Sequence, residues 1–325
     1  MKNTHKMNRF STLSVWEISL IGLLILVLIL GRILSEEYLS ASNISNLLAN
    51  FTEIALMALA MTLVICSEEI DLSVASILGL SSAIVGLLAP VLPMPMVICC
   101  ALLAGMFAGA FNGLLIAYFK LPSLAVTIGT MALFRGITYI LLGDRALANF
   151  PSEYTDFGIN NIGNSFLPQT FIIVIGFSLI FVVLLQFSSL GRRIYAIGLN
   201  PTAAYFSGIK VVKIKFSLFM ISGFMSALAG VIYTFRFSST RGDNGMGFEL
   251  PVIAAVLFGG VSIFGGKGSL YGVLLSLVLI GALNNALTLA DVSNEVLTLM
   301  TGILLLSSIL IPNLYQDLKL RFSKK

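Results

Sequence analysis

Charge is what this chain of 325 residues has least of: Asp, Glu, Lys and Arg together make up 10% of it, against roughly 25% in an ordinary soluble domain. The apolar set AVILMFWYC supplies 58%, and mean hydropathy is +1.00. So few polar residues cannot cover a water-soluble surface without leaving large apolar patches exposed. A soluble enzyme and a charge-rich disordered regulator are thereby excluded. Cysteine is scarce too: Cys66, Cys99 and Cys100 are the whole complement, too few for a disulfide-built secreted module. The net charge of +4 comes from 19 Lys and Arg scattered along the chain, which is no nucleic-acid-binding surface. A nucleotide site is also missing. A Walker A loop, GxxxxGK[ST], closes backbone N–H groups on phosphates, and its nearest approach here, VSIFGGKGS at 261–269, lacks the first Gly and places Gly268 after Lys267. That stretch reads as a tight turn between helices.

What remains is apolar sequence in long runs. A helix crosses about 30 Å of hydrocarbon with about 20 residues. Ten stretches fit, at 15–34, 46–66, 70–89, 95–118, 122–142, 167–186, 214–235, 249–264, 269–289 and 296–312, the eighth being short enough for a broken or re-entrant segment. The first continues to Arg32 without an A-x-A cleavage signal and is expected to be a retained helix. With an inside amino terminus, the cytoplasmic segments of a ten-helix chain hold 14 of the 19 basic residues, as the positive-inside rule requires. The expected architecture is an all-α polytopic membrane protein of about ten transmembrane helices with both termini cytoplasmic. It comprises a cytoplasmic segment 1–14, a transmembrane domain 15–312 and a cytoplasmic tail 313–325. The outer connection 143–166 is acidic, and the inner loop 188–215 carries five basic residues and no acidic one.

Within that inner loop, Asn200 is suited to cap a short helix, Pro201 to its first position and Gly208 to its stop. A stiff cytoplasmic helix transmits displacement to a soluble motor; a topology loop with an incidental helical turn accounts for the same residues. Elsewhere Glu68, Glu69 and Asp71 lie between two apolar runs. Asp71 is expected to cap the following helix, and the two glutamates to form a wetted acidic loop, with a gating cluster as the functional alternative. Glu53, Asn112, Arg135, Asn284 and Asn285 fall inside spans. They are candidates for a translocation path, or for hydrogen bonds that glue helices together. Gly105, Gly109 and Gly113 share one helical face and permit another helix to approach closely.

Thr202, Ala203, Ala204 and Gly208 resemble the EAAxxxG coupling helix of ABC importer permeases, with Thr202 in place of the usual Glu. The surrounding GRRIYAIGLNPTAAYFSGI is similar to the matching loop of permeases for ribose, rhamnose, related sugars and autoinducer-2. In the same order along the chain, EEIDLSVASILGLSS at 68–82, FNGLLIAYFKLPSLAVTIGTMALFRGITYIL at 111–141 and FELPVIAAVLFGGVSIFGGKGSLYGVLLSLVLIGALNNAL at 248–287 agree as well. Relatives often have Gly-Gly before IDLSV, so the pair Glu68 and Glu69 is a departure. The resemblance implies a permease subunit of an ATP-driven sugar importer in the inner membrane, leaning toward rhamnose-type or autoinducer-2-type members over ribose. Its implied partners are a cytoplasmic ABC ATPase that uses ATP and Mg, a second permease subunit and an extracytoplasmic sugar-binding protein. It implies an ATPase contact at Pro201, Thr202, Ala203, Ala204 and Gly208. No catalytic residue, bound cofactor or metal ligand set is expected in this chain. A secondary, ion-coupled transporter is the rival, with Glu53 as its one well-placed acid.

Overall fold

The computed structural model describes residues 14–293 and 295–300, together with 302, 303, 305, 306 and 310. The expected segments 1–14 and 313–325 thus lie outside the described residues, apart from Ser14, and the tenth stretch, 296–312, lies partly outside them. Among the described residues the architecture is all helical, with two isolated β-bridges. Helix α1 spans Val15–Leu34, α2 Ala41–Cys66, α3 Val74–Leu88, α4 Met94–Gly113 and α5 Ser123–Leu142. After the short α6 (Ser152–Ile159) come α7 (Phe171–Val182), α8 (Ser189–Leu199), α9 (Pro201–Phe206), α10 (Val211–Phe237), α11 (Glu249–Phe258) and α12 (Leu270–Leu289).

Nine of the ten apolar stretches coincide with these helices, but not every one is a full-length span. Among the described residues six helices are long and apolar enough to span it, and a seventh arises if the segment 171–199, bent by 66°, is taken as one. Helices α3 and α11, at 15 and 10 residues, reach only about 22 and 15 Å. The polar segments that begin them account for this shortfall. Residues 67–73 turn beneath α2, and the 239–247 loop folds back from the end of α10 until Gly245 lies against Leu78 and the carbonyl of Ala75, the second residue of α3. Irregular backbone is tolerated at such depth only where protein satisfies its polar groups.

Helices α2 and α10 form the centre, and half of the largest fully buried side chains belong to α2. Helix α10 crosses α4 along the glycine face expected from sequence, and the partner surface belongs to this same chain. A Cβ on Gly109 would sit 2.2 Å from the Phe219 carbonyl oxygen, one on Gly105 2.7 Å from that of Gly223, and one on Gly223 2.1 Å from that of Gly105. These helices touch backbone to backbone. Helix α1 lies along α12 with much of its surface exposed. It is held by a Ser14–Glu17 capping box, by Glu17 accepting from Ser269 Oγ at 2.7 Å, and by Trp16 donating to the Phe258 carbonyl at 2.9 Å.

The connections gather at two opposite ends of the helices. At one end Gly266 N–H donates to the Cys66 carbonyl, Ile70 N–H to Ser123 Oγ, and Tyr195 to the Gly268 carbonyl. At the other, Leu147 pairs with Thr240, Ser45 donates to Asn161, and Gly158 packs on the backbone of Phe235 and Arg236. The first set joins segments that the charge count assigns to the cytoplasm, and the second joins segments it assigns to the outside.

Between α2 and α3, Glu68 is exposed with φ of 67°, a conformation that glycine adopts without steric cost. The departure from Gly-Gly therefore carries a local strain. Glu68→Gly is expected to raise the stability of the detergent-solubilised protein by about 1 kcal/mol, read as a higher midpoint in thermal unfolding. An unchanged or lower midpoint would count against strain at this turn.

Candidate functional site

The end that the charge count assigns to the cytoplasm is built on a chain of local signals. Ser188 caps α8 by accepting from the N–H groups of Leu190 and Gly191 at 3.0 and 3.2 Å. Asn200 then breaks the helix in extended conformation and caps α9, its Oδ1 accepting from Ala203 N–H at 2.9 Å, with Pro201 at the first turn. Gly208, at φ of 82°, closes α9: its N–H donates to the Tyr205 carbonyl and that of Ile209 to the Ala204 carbonyl. That pair of bonds is a Schellman stop. The short helix lies where sequence placed it, and its two faces differ. Ala204 is buried, whereas Thr202 and Ala203 are exposed and the rings of Tyr205 and Phe206 are 65% and 82% exposed, 5.7 Å apart. Sequence reasoning named the backbone frame but missed this aromatic pair. The one available signal was that both rings interrupt an otherwise small and polar hexapeptide.

Glycine contacts couple α8 and α9 to the rest. A Cβ on Gly198 would lie 2.0 Å from the Cys66 carbonyl oxygen and 2.4 Å from Gly266 N, and Gly265 packs on Glu68 and on the Gly198 carbonyl. The end of α8, the turn after α2 and the 259–268 turn are thus in backbone contact. Side chains of this bulk are absent because no room exists for them. Glu69 forms an ion pair with Lys215 of α10, so it is tied to a neighbouring helix rather than being part of a freely wetted acidic loop; Glu68 alone points outward.

Deeper in, Asp71 is fully buried, and the expected capping role is corrected. Ser73, not Asp71, occupies the position before α3. One carboxylate oxygen of Asp71 accepts from Ser73 N–H and Oγ at 3.0 and 2.6 Å, and the other from Ser222 of α10 at 2.8 Å. Asn112 of α4 donates to Ser73 Oγ at 2.8 Å. Because its side chain reaches back to the residue two positions on, Asp71 forms a turn and then binds a third helix. The cluster joins α3, α4 and α10 in a site with no water access.

Arg135 lies midway along α5, half-buried, and donates to the carbonyls of Gly242 and Asn244 at 3.0 and 2.8 Å and to that of Ala75 at 3.2 Å. It therefore holds the 239–247 loop in its deep position. Asn244 adds a donor to Ser82, which also accepts from Thr234. Arg135→Met leaves three carbonyls without their donor, a loss of about 2–3 kcal/mol. Hydrogen exchange of amides 239–247 should speed up accordingly, and unchanged exchange would mean that other contacts hold the loop.

Near the opposite end Glu53, with no exposed surface, accepts from Arg236 Nε at 2.9 Å, and Arg236 also donates to Asn50 at 2.6 Å. Arg236 follows the 214–235 stretch, on the outer side of the ten-helix count and against the positive-inside sorting, and this buried partner explains why it sits there. Among the described residues the second Glu53 oxygen has no hydrogen-bond partner. Asn285 exchanges amide hydrogen bonds with Asn43, and a cleft of about 120 Å³ between α2 and α12 is lined by Asn50, Phe51, Gly281, Asn284, Asn285 and Thr288. The five polar residues expected inside spans thus fall into separate places: Asn112 in the Asp71 cluster, Arg135 under the loop, Glu53 on Arg236, and the Asn284–Asn285 pair at the α2–α12 cleft.

A profile of the family described as branched-chain amino acid transport system / permease component matches residues 43–309. The chain is 37% identical over 317 residues to the ribose import permease protein RbsC of Haemophilus influenzae, covering 96% of this chain and 98% of the relative. It is 38% identical to the RbsC of Bacillus subtilis and 34% identical to the autoinducer 2 import system permease protein LsrD of Escherichia coli K12, each over 90% of both chains. No solved structure matches.

Proposed function

Because the chain belongs to the branched-chain amino acid transport system permease family, we propose that it is the membrane subunit of an ATP-binding-cassette importer for a monosaccharide or sugar-like molecule. It is a multi-pass protein of the inner membrane. The observation that carries the reading is the aromatic pair Tyr205–Phe206 on a capped, stiff helix outside the apolar spans. Two exposed rings on a rigid support are poorly explained by solvation and well suited to a partner's groove. The docking face is α9, with Pro201, Thr202, Ala203, Ala204 and Gly208 shaping it and Tyr205 and Phe206 inserted. Displacement of α9 passes through Gly198 and Gly266 to the Cys66–Glu69 turn, and thence to the Asp71 cluster that joins α3, α4 and α10. The chain crosses the membrane ten times with α3 and α11 as broken spans, both termini cytoplasmic, and functions beside a second permease copy or relative.

Cargo arrives from an extracytoplasmic binding protein, and alternating access moves it inward. Asn284 and Asn285 line the outer part of the route, while Glu53, Arg135 and Asn112 hold its walls. ATP and its Mg²⁺ are bound by the partner ATPase. Ribose and autoinducer-2 are the cargoes named for the relatives, and rhamnose shares their chemistry of a small, neutral, hydroxyl-rich molecule. The ion-coupled alternative asks Glu53 to exchange protons or Na⁺, yet Glu53 is sealed against Arg236. Affinity purification of the tagged chain from its native membrane, in mild detergent, tests the reading: an ATPase with Walker motifs should co-purify, and its consistent absence would overturn it.

A further inference from the structure

The outer end holds a second cleft, of about 260 Å³, lined by Tyr233, Phe237, Ser239, Arg241, Asp243 and Asn244. Its walls are of two kinds. On one side the rings of Tyr233 and Phe237, on successive turns of α10, lie 4.4 Å apart, with Phe237 51% exposed beneath the Arg236 guanidinium, 4.4 Å from its ring centroid, and Phe248 edge-on to Tyr233 at 6.0 Å. On the other, Arg241 and Asp243 form an exposed ion pair with contacts of 3.2 and 3.4 Å.

The backbone that carries this pair is fixed. Arg135 binds the carbonyls on both sides of Asp243, Gly242 packs on the Tyr139 ring, Thr240 is bridged to Leu147, and Asn244 is tied to Ser82 and Ser239. Exposed charged side chains usually wander, but a loop pinned at four points presents these in one place. The mouth of the cleft therefore combines exposed aromatic carbon, a strong donor and a strong acceptor, with no net charge between the last two. A carbohydrate ring has the complementary surface: a C–H face for the aromatics, and vicinal hydroxyls that both donate and accept.

We propose that this cleft is a monosaccharide subsite, the first contact of the cargo with the permease after the binding protein releases it. The exposed ring carbons of Phe237 and Tyr233 meet the sugar's C–H groups, and Arg241 and Asp243 take adjacent hydroxyls. The inference rests on the importer reading above and adds residues to it. It also explains why a surface ion pair, which contributes little to stability when exposed, stands on so firmly held a loop.

The test uses the assembled transporter in proteoliposomes, with sugar-loaded binding protein outside and ATP inside. Uptake of D-ribose, L-rhamnose and autoinducer-2 is measured for the parent and for the variants Asp243→Asn and Phe237→Leu. For the cargo the parent prefers, a deoxy analogue is then compared. Each variant should slow uptake about tenfold and narrow the preference for the cargo over its deoxy analogue, while the unfolding midpoint stays near the parent's. A merely structural role for the pair would lower the midpoint and leave the preference intact, overturning the proposal. Parent-like uptake and preference in both variants would overturn it as well. If uptake by the parent proceeds without ATP or without the ATPase, the importer reading fails, and the subsite falls with it.

Discussion

Phe206→Asp is expected to abolish ATP-driven uptake in a protein that still inserts, folds and unfolds at the parent's temperature. The ring is 82% exposed at the tip of α9, and among the described residues its only ring neighbour, Tyr205, is itself on the surface, so its loss leaves no cavity. In a complex, the same position would put a carboxylate into a desolvated pocket, where truncating an aromatic anchor alone typically costs more than about 2 kcal/mol. Affinity for the ATPase should therefore fall at least about thirtyfold. The substitution is cleaner than changes in the motif itself. Ala204 is buried, so Ala204→Asp places a charge inside the protein, and Gly208 at φ of 82° resists any side chain. Both of those variants would lose transport and ATPase association, but partly by undoing the loop. Normal uptake and ATPase retention by Phe206→Asp would exclude α9 as the docking element.

The second large effect concerns the α4–α10 crossing. Gly109→Val is expected to prevent accumulation of folded protein. A Cβ there meets the Phe219 carbonyl oxygen at 2.2 Å and Gly223 Cα at 3.0 Å, and neither is a flexible side chain that can swing away. The helices would have to separate, and α10 also packs against α2 and α3. Overpacking of this kind costs more than about 3 kcal/mol when backbone must move. Gly176→Val supplies the control, because nothing lies within 4 Å of the Cβ it adds. Size-exclusion chromatography in detergent should show a single peak for the parent and Gly176→Val and aggregate for Gly109→Val. Equal peaks for all three would mean the crossing is looser than described.

Local signals carried much of this structure, and long-range ones carried the rest. The apolar runs and the Asn200-Pro201 to Gly208 frame were legible because each depends on residues within one or two turns. The glycines at 105, 109 and 113 announced a close helix contact by their spacing, though not that α10 would fill it. By contrast, the direction in which α9 turns its faces depends on what it packs against, so the inward Ala204 and outward Tyr205 and Phe206 were not readable. Arg236 looked like a topological exception because its partner Glu53 is 183 residues away. Arg135 gave no hint of its role, since its acceptors are backbone carbonyls of a distant loop, to which sequence is blind. Asp71 was misassigned as a cap for a related reason: its second acceptor site is filled by Ser222, 151 residues on.

These placements give the importer account a physical route, from rings on α9 through glycine contacts to a buried cluster joining three helices. The most direct test is cargo uptake into proteoliposomes containing this chain, with and without its ATPase, with ATP enclosed and a binding protein outside. Uptake should require both the ATPase and ATP and should persist when an ionophore collapses ion gradients. Uptake that continues without the ATPase, or that an ionophore alone abolishes, would contradict the account.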